Sequence, residues 1–237
     1  MSKYESGSQQ RYERNEQLEE DIKFIRTFFQ FMDQSRTLRW RSKKDNAFLT
    51  AEEVSEMKES DSEHTGQMSS LASFIVEKAK TENDLVTAGV DFSRVNLMIH
   101  IHDIEENLVG DSREKTEAYE IVEEKARKQI VEQVNKLNFG TVIESALDEY
   151  QKKQTAESQF VKALDEIQAL LFMIYSRGFS QDNRDYNNLD TIVAYKYIQQ
   201  FPTLERIYNV LVKIMKNQKL ISTEIPDLDE VHKEFKV

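Results

Sequence analysis

Three apolar stripes in this chain each carry an ionisable side chain, and that most narrows what it can fold into. Met68, Leu71, Ala72, Ile75, Val76 and Ala79 recur at helical spacing, and His64 lies four residues before Met68 on the same face. Val95, Met98 and Ile99 form a second stripe that His102 and Glu106 continue, read as one helix from Asp91 or Ser93 to Gly110. A third, over residues 156–175, places Val161, Leu164, Gln168 and Leu171 on one face together with Asp165. Ionisable groups that face a core are costly unless paired or bound to metal. The fold must therefore give these groups partners.

The rest of the sequence favours helices throughout. Only 6 Gly and 2 Pro interrupt 237 residues rich in Glu, Lys, Gln, Leu and Ala, so an all-α fold is expected. With no Cys, disulfides, thiolate zinc sites and cysteine nucleophiles are excluded together, and any metal must use imidazole nitrogens and carboxylate oxygens. A formal charge of −11 argues against a general nucleic-acid binder, though not against a small phosphorylated substrate in a locally basic pocket. No apolar run reaches the ~18 residues of a membrane span. The opening is polar and lacks the apolar core of a secretion signal, so a cytoplasmic protein is the expectation.

Along the chain, residues 1–16 read as a mobile tail, 17–217 as one helical domain and 218–237 as a tail or short helix. The pattern Ile22, Ile25, Phe28, Phe29, Met32 predicts a first helix from Leu18 to Met32, followed by the basic, aromatic stretch Arg36–Arg41. Residues 42–61 are expected to be mainly loop with a short helix near 50–57. The His64 helix is expected to be capped by Ser60 or Ser62 and to end before Gly89. A charged helix over 113–137 should bury Ala118, Ile121, Val122, Ala126, Ile130 and Val134. Further helices are predicted over 142–152, 156–175, 189–200 and 203–217, with a polar loop over 178–188.

By spacing alone, His64, His102, Asp103 and Asp165 offer two imidazoles and two carboxylates, a donor set that suits a divalent ion. A lone core-facing His is more often a hydrogen-bonded structural residue, and an inward Asp is commonly half of a salt bridge between helices. Both readings stay open on these grounds. His100 lies two residues before His102, about 200° round a helix, and should face elsewhere. His232 reads as a surface residue.

The ordered text is more specific than the donors. Arg39–Trp40, Ser62–Glu63–His64, the run His102–Asp103–Ile104–Glu105–Glu106–Asn107–Leu108–Val109–Gly110–Asp111, Leu147–Asp148–Glu149–Tyr150, Thr155–Ala156–Glu157 and Phe160–Asp165 resemble the HD-domain metal-dependent phosphohydrolases, in particular the 5′-deoxynucleotidase branch. The resemblance covers about residues 36–172. It implies an HD-domain helical bundle with extra terminal helices, and a divalent metal (Mn, Co, Fe, Ni, Zn or Mg) held by His64, His102, Asp103 and Asp165. It further implies proton transfer by Glu106, a hold on the sugar or reacting centre by Asp111, phosphate contact by Arg39, and packing of Trp40 beside the ribose so as to disfavour a 2′-hydroxyl.

The sequence departs from that pattern in two places. The stretch between Trp40 and His64 is longer than the usual link, and Ser112–Arg113–Glu114–Lys115 lacks the proline common in relatives, leaving Lys115 as an extra phosphate contact. The implied substrate is a small nucleotide, a deoxynucleoside 5′-monophosphate, with dNTP hydrolysis to tripolyphosphate as the rival chemistry and Lys43, Lys44, Arg113 and Lys115 as the cations it would require. A non-catalytic, partner-binding helical protein is the rival from another class, and a metal-dependent oxygenase on the same scaffold would call for more His ligands. Relatives commonly form dimers, and apolar residues in 189–215 offer a surface for a homodimer.

Overall fold

The structure, a computed structural model, describes residues 16–25, 60–110, 116–136, 139–175, 191 and 194–221. Its described residues form helices and turns with no strand, so the chain is all-α. Two compact units divide it: Met1–Ala88 with Ala163–Val237, and Gly89–Lys162.

In the first unit, residues 16–25 are helical and form α1, in keeping with the helix expected from Leu18. Its expected continuation to Met32 and the expected short helix near 50–57 lie outside the described residues. Helix α2, Asp61–Thr81, opens with a capping box: the Ser60 hydroxyl accepts from the Glu63 amide, and the Glu63 carboxylate accepts from the Ser60 amide at 2.9 Å. Acidic Asp61 and Glu63 at its start and basic Lys78 and Lys80 at its end complement the helix dipole. All six apolar residues of the expected stripe are buried, each large one stabilising the fold by about 1.5–3 kcal/mol. The helix ends at a turn in which Asn83 has φ 57°, and a single helical turn, α3 (Leu85–Ala88), follows; nothing in the sequence periodicity marks that turn.

Asp84 lies between those two helices and accounts for the turn. Its carboxylate accepts from the amide and hydroxyl of Thr87, and from the amide and hydroxyl of Thr203, at 2.5–3.1 Å. Burial would raise its pKa, but these bonds hold it below the ordinary carboxylate value. Thr203 opens helix α10, Pro202–Asn217, with proline in its first turn, where the lost N–H matters least. Helix α10 buries Leu204, Ile207, Tyr208 and Leu211, and the Tyr208 hydroxyl donates to the Thr191 carbonyl at 2.7 Å. Helix α8, Ala156–Tyr175, enters this unit with Ala163, and α9 covers residues 194–198. Around the buried Asp21, Lys78 reaches Asp21 at 3.0 Å and Glu82 at 2.7 Å, while Arg206 binds Glu82. Burial works against both charges, yet Lys78 is held above its usual pKa by Glu82 and Asp21, and Glu82 below its own by Lys78, Gln17 and Arg206.

In the second unit, Asp91 caps helix α4 (Phe92–Ile101) by accepting from the amides of Ser93 and Arg94. Its apolar face, Val95, Met98, Ile99 and Ile101, packs against helix α7 (Gly140–Lys152), where Ala146, Leu147 and Tyr150 are buried. Arg94 joins the two, its Nε donating to Glu149 at 2.7 Å and its Nη2 to Ser145 at 3.0 Å.

The expected single helix to Gly110 is corrected here. It ends at Ile101; residues 102–105 form turns closed by Ile104 N to Ile101 O and Glu106 N to Asp103 O, and a one-turn helix α5, Glu106–Val109, follows. Gly110, at φ 79°, does terminate that segment.

Helix α6 is Glu117–Val134, shorter at both ends than the expected 113–137. Of its expected buried side only Ala126 and Ile130 are buried, whereas Ala118, Ile121 and Val122 are exposed. Helix α7 and the short helix α5 both meet it, and near its start the Tyr119 hydroxyl donates to the Gly110 carbonyl, yet Ile121 and Val122 stay exposed. Gly140 begins α7 rather than merely breaking the chain, because a Cβ there would overlap the Val134 carbonyl.

Candidate metal centre

In the first unit, α2 presents His64 and α8 presents Asp165, with imidazole Nε2 and carboxylate Oδ1 at 3.3 Å. On the far side of the ring, Nδ1 lies 2.9 Å from the Gln168 amide oxygen. That amide donates its own N–H to Gln67 Oε1 at 2.9 Å, so its oxygen is the acceptor and His64 Nδ1 the donor. Both glutamines are buried, while His64 and Asp165 keep partial exposure. A buried amide is costly unless both its ends are bonded, and Gln168 meets that condition.

In the second unit, His102 is the C-cap of helix α4. The ring Nδ1 donates to the Ile99 carbonyl at 2.9 Å, and Nε2 lies 2.8 Å from Asp103 Oδ2. The side chain is fully buried, with its ring edge-on to Tyr150 at 5.5 Å between centroids and 80° between planes. Lys153 places its ammonium over the same tyrosine ring at 4.6 Å. Glu105, next along, is buried and paired with Arg127 of α6 at 2.6 Å. Glu106 is half-buried on the first turn of α5. His100 is exposed, its Nδ1 on the Asn96 carbonyl, and so faces away from the apolar stripe.

The two histidines thus share one arrangement. In each, Nδ1 donates to an oxygen, and Nε2 is turned to a carboxylate. A neutral Nε2 lone pair and a carboxylate oxygen repel, so positive charge belongs between them, from a second ring proton or a cation. Ligand histidines are ordinarily held in this way, with the far nitrogen bonded to a carbonyl or carboxylate. Imidazole nitrogen beside carboxylate oxygen, present in each unit, is the kind of donor set that fits a divalent ion.

Other expected site residues, Arg39, Trp40, Asp111 and Lys115, lie outside the described residues. The structure brings together His64 with Asp165, and His102 with Asp103. Sequence reasoning gave no role to Gln67, Gln168, Tyr150 or the Glu105–Arg127 pair. A signal was available for the glutamines: each stands three residues after a candidate ligand, His64 or Asp165, on the same helical face. Among the recurring motif text, Glu149 holds Arg94 and accepts from Thr155, and Glu157 accepts the Asp91 amide, so these residues serve the scaffold.

A family model described as HD domain matches residues 49–205, about two thirds of the chain. The crystal structure of a predicted metal-dependent phosphohydrolase from Magnetospirillum magnetotacticum MS-1 has the same fold, with a TM-score of 0.55 and 21% sequence identity over 83% of this chain and 93% of that one. No curated protein matches the chain.

Proposed function

The chain belongs to the HD-domain family, and on that premise we propose that it is a metal-dependent phosphohydrolase acting on deoxynucleoside 5′-monophosphates. The observation that carries this reading is the shared state of the two histidines, each with Nδ1 tied back and Nε2 turned to a carboxylate. His64, His102, Asp103 and Asp165 would hold the ion. When bound, a divalent cation supplies Lewis-acid polarisation of a phosphoryl oxygen and acidifies water.

The chain's own groups supply the rest. Arg39 presents a planar fork to the phosphate oxygens, and Lys115 adds a second cation there. Trp40 packs on the sugar where a 2′-hydroxyl would sit, and Asp111 holds the sugar or the reacting centre. Water attacks phosphorus, and the P–O5′ bond breaks with its electron pair going to oxygen. That oxygen takes a proton from Glu106 and leaves as the deoxynucleoside, while the attacking water gives a proton back to Glu106 and stays on phosphorus as hydrogen phosphate.

The test is a panel of dNMPs, NMPs and dNTPs with Mn²⁺, Co²⁺, Zn²⁺ and Mg²⁺, reading inorganic phosphate against tripolyphosphate. Phosphate release from dNMPs above NMPs is the expected result. Tripolyphosphate from dNTPs with no dNMP turnover replaces this reading with the triphosphohydrolase, and no turnover with any ion removes it.

A further inference from the structure

The two buried glutamines are the best-placed groups that the proposed reaction leaves unused. On α2, His64 and Gln67 are one turn apart; on α8, Asp165 and Gln168 are one turn apart. The two pairs interlock. Asp165 meets one nitrogen of the His64 ring and Gln168 the other, so a single helix grips both edges of the imidazole. Gln67 in turn accepts from Gln168 and fixes which end of that amide faces the ring.

Their neighbours on these faces are Met68, Leu71, Leu164 and Leu171, all fully buried. A leucine would pack at either position without the desolvation cost of an amide. What the amides deliver instead is direction: a chain of donation from His64 Nδ1 to Gln168 and from Gln168 to Gln67. Its terminal effect is that a ring proton sits on Nδ1 and Nε2 is aimed at Asp165. His102 obtains the same result from a backbone carbonyl, which no substitution can remove.

We infer that Gln168, oriented by Gln67, is the positioning residue that sets the tautomer and aim of His64. The inference rests on the proposal that His64 is a metal ligand, and it deepens that proposal. Gln168 does not touch substrate or ion in this account; it acts through the imidazole.

The test uses the full chain with ¹⁵N-labelled histidine, metal-free at pH 8, and reads the ring tautomers from long-range ¹H–¹⁵N correlations. In the unsubstituted protein His64 should carry a proton on Nδ1, whether or not Nε2 is protonated as well. Gln168→Leu should shift it towards the Nε2–H form and weaken Mn²⁺ binding, measured calorimetrically with the metal alone, by about 10–100-fold. Gln168→Glu keeps the acceptor, and Gln67 can turn its amide to donate, so tautomer and affinity should stay close to the parent.

An Nε2–H form in the parent protein overturns the inference, and this holds even if the leucine variant does not fold. So does a folded Gln168→Leu protein with unchanged tautomer and Mn²⁺ affinity, or a Gln168→Glu protein that loses both. If the parent shows the Nδ1–H form yet binds no divalent ion, the hold of Gln168 on the ring is supported and the phosphohydrolase reading is what fails.

Discussion

The Arg127 guanidinium meets the Glu105 carboxylate at 2.6 Å, which ties helix α6 to the turns that carry His102 and Asp103. Glu105 is 4% exposed, and a carboxylate so buried tolerates no loss of its counter-charge. Arg127→Ala is therefore expected to destabilise the protein by about 3–5 kcal/mol, read as a shift in the urea midpoint at pH 7. The double variant Arg127→Met with Glu105→Gln should recover part of that. Equal midpoints for Arg127→Ala and the parent protein would show that Glu105 is not held by this contact.

Removal of the ion or of a ligand should stop turnover without unfolding the chain. His102→Ala deletes one donor and its edge-on contact with Tyr150, so dNMP hydrolysis should vanish and Mn²⁺ binding fall below detection, with the helical circular dichroism retained. Full activity after exhaustive chelation would reject the metal site.

Glu106 has a separate signature. Glu106→Ala should bind Mn²⁺ within a few-fold of the parent yet lose kcat by ~10²–10⁴-fold, the usual weight of a general acid or base. Parental turnover in that variant takes Glu106 out of the chemistry.

Acid stability should depend on Asp84. Its folded pKa lies below the ordinary 3.8, so its contribution is present above that value and is lost as pH falls through the folded pKa. In Asp84→Asn, stability at pH 7 should drop by about 2–4 kcal/mol through lost charge-assisted bonds to Thr87 and Thr203. The fall between pH 5 and pH 3 should also become shallower. Urea titrations at pH 7, 5, 4 and 3 compare the two, and an unchanged acid slope would show that Asp84 titrates alike in folded and unfolded chains.

Much of this was readable in the residues, and what was not has identifiable causes. Helix α8 was readable over 156–175 from its unbroken apolar period, and Ser60 was among the two caps named for α2. The segment 92–110 was misread as one helix because its residues all favour helical dihedrals; His102 and Glu105 both keep them, and only the hydrogen-bond pattern changes at the break. The Ile121–Val122 pair was assigned to a core because periodicity shows which residues share a face, not whether a neighbour covers it. His64, His102, Asp103 and Asp165 were named as candidate donors from the sequence, and His64 faces Asp165 as His102 faces Asp103. The proton placement on each imidazole needed three-dimensional partners, since Gln168 lies 104 residues from His64.

Replacing a helical glycine with alanine ordinarily toughens a protein by about 1 kcal/mol. Among the described residues, the two glycines within helices should respond in opposite directions. Gly66 has open space where a methyl group would go, so Gly66→Ala should raise the melting temperature. At Gly140 the same change would drive the methyl into the Val134 carbonyl and wedge open the α6–α7 corner. An engineer wishing to harden this protein for use should therefore leave that corner bare.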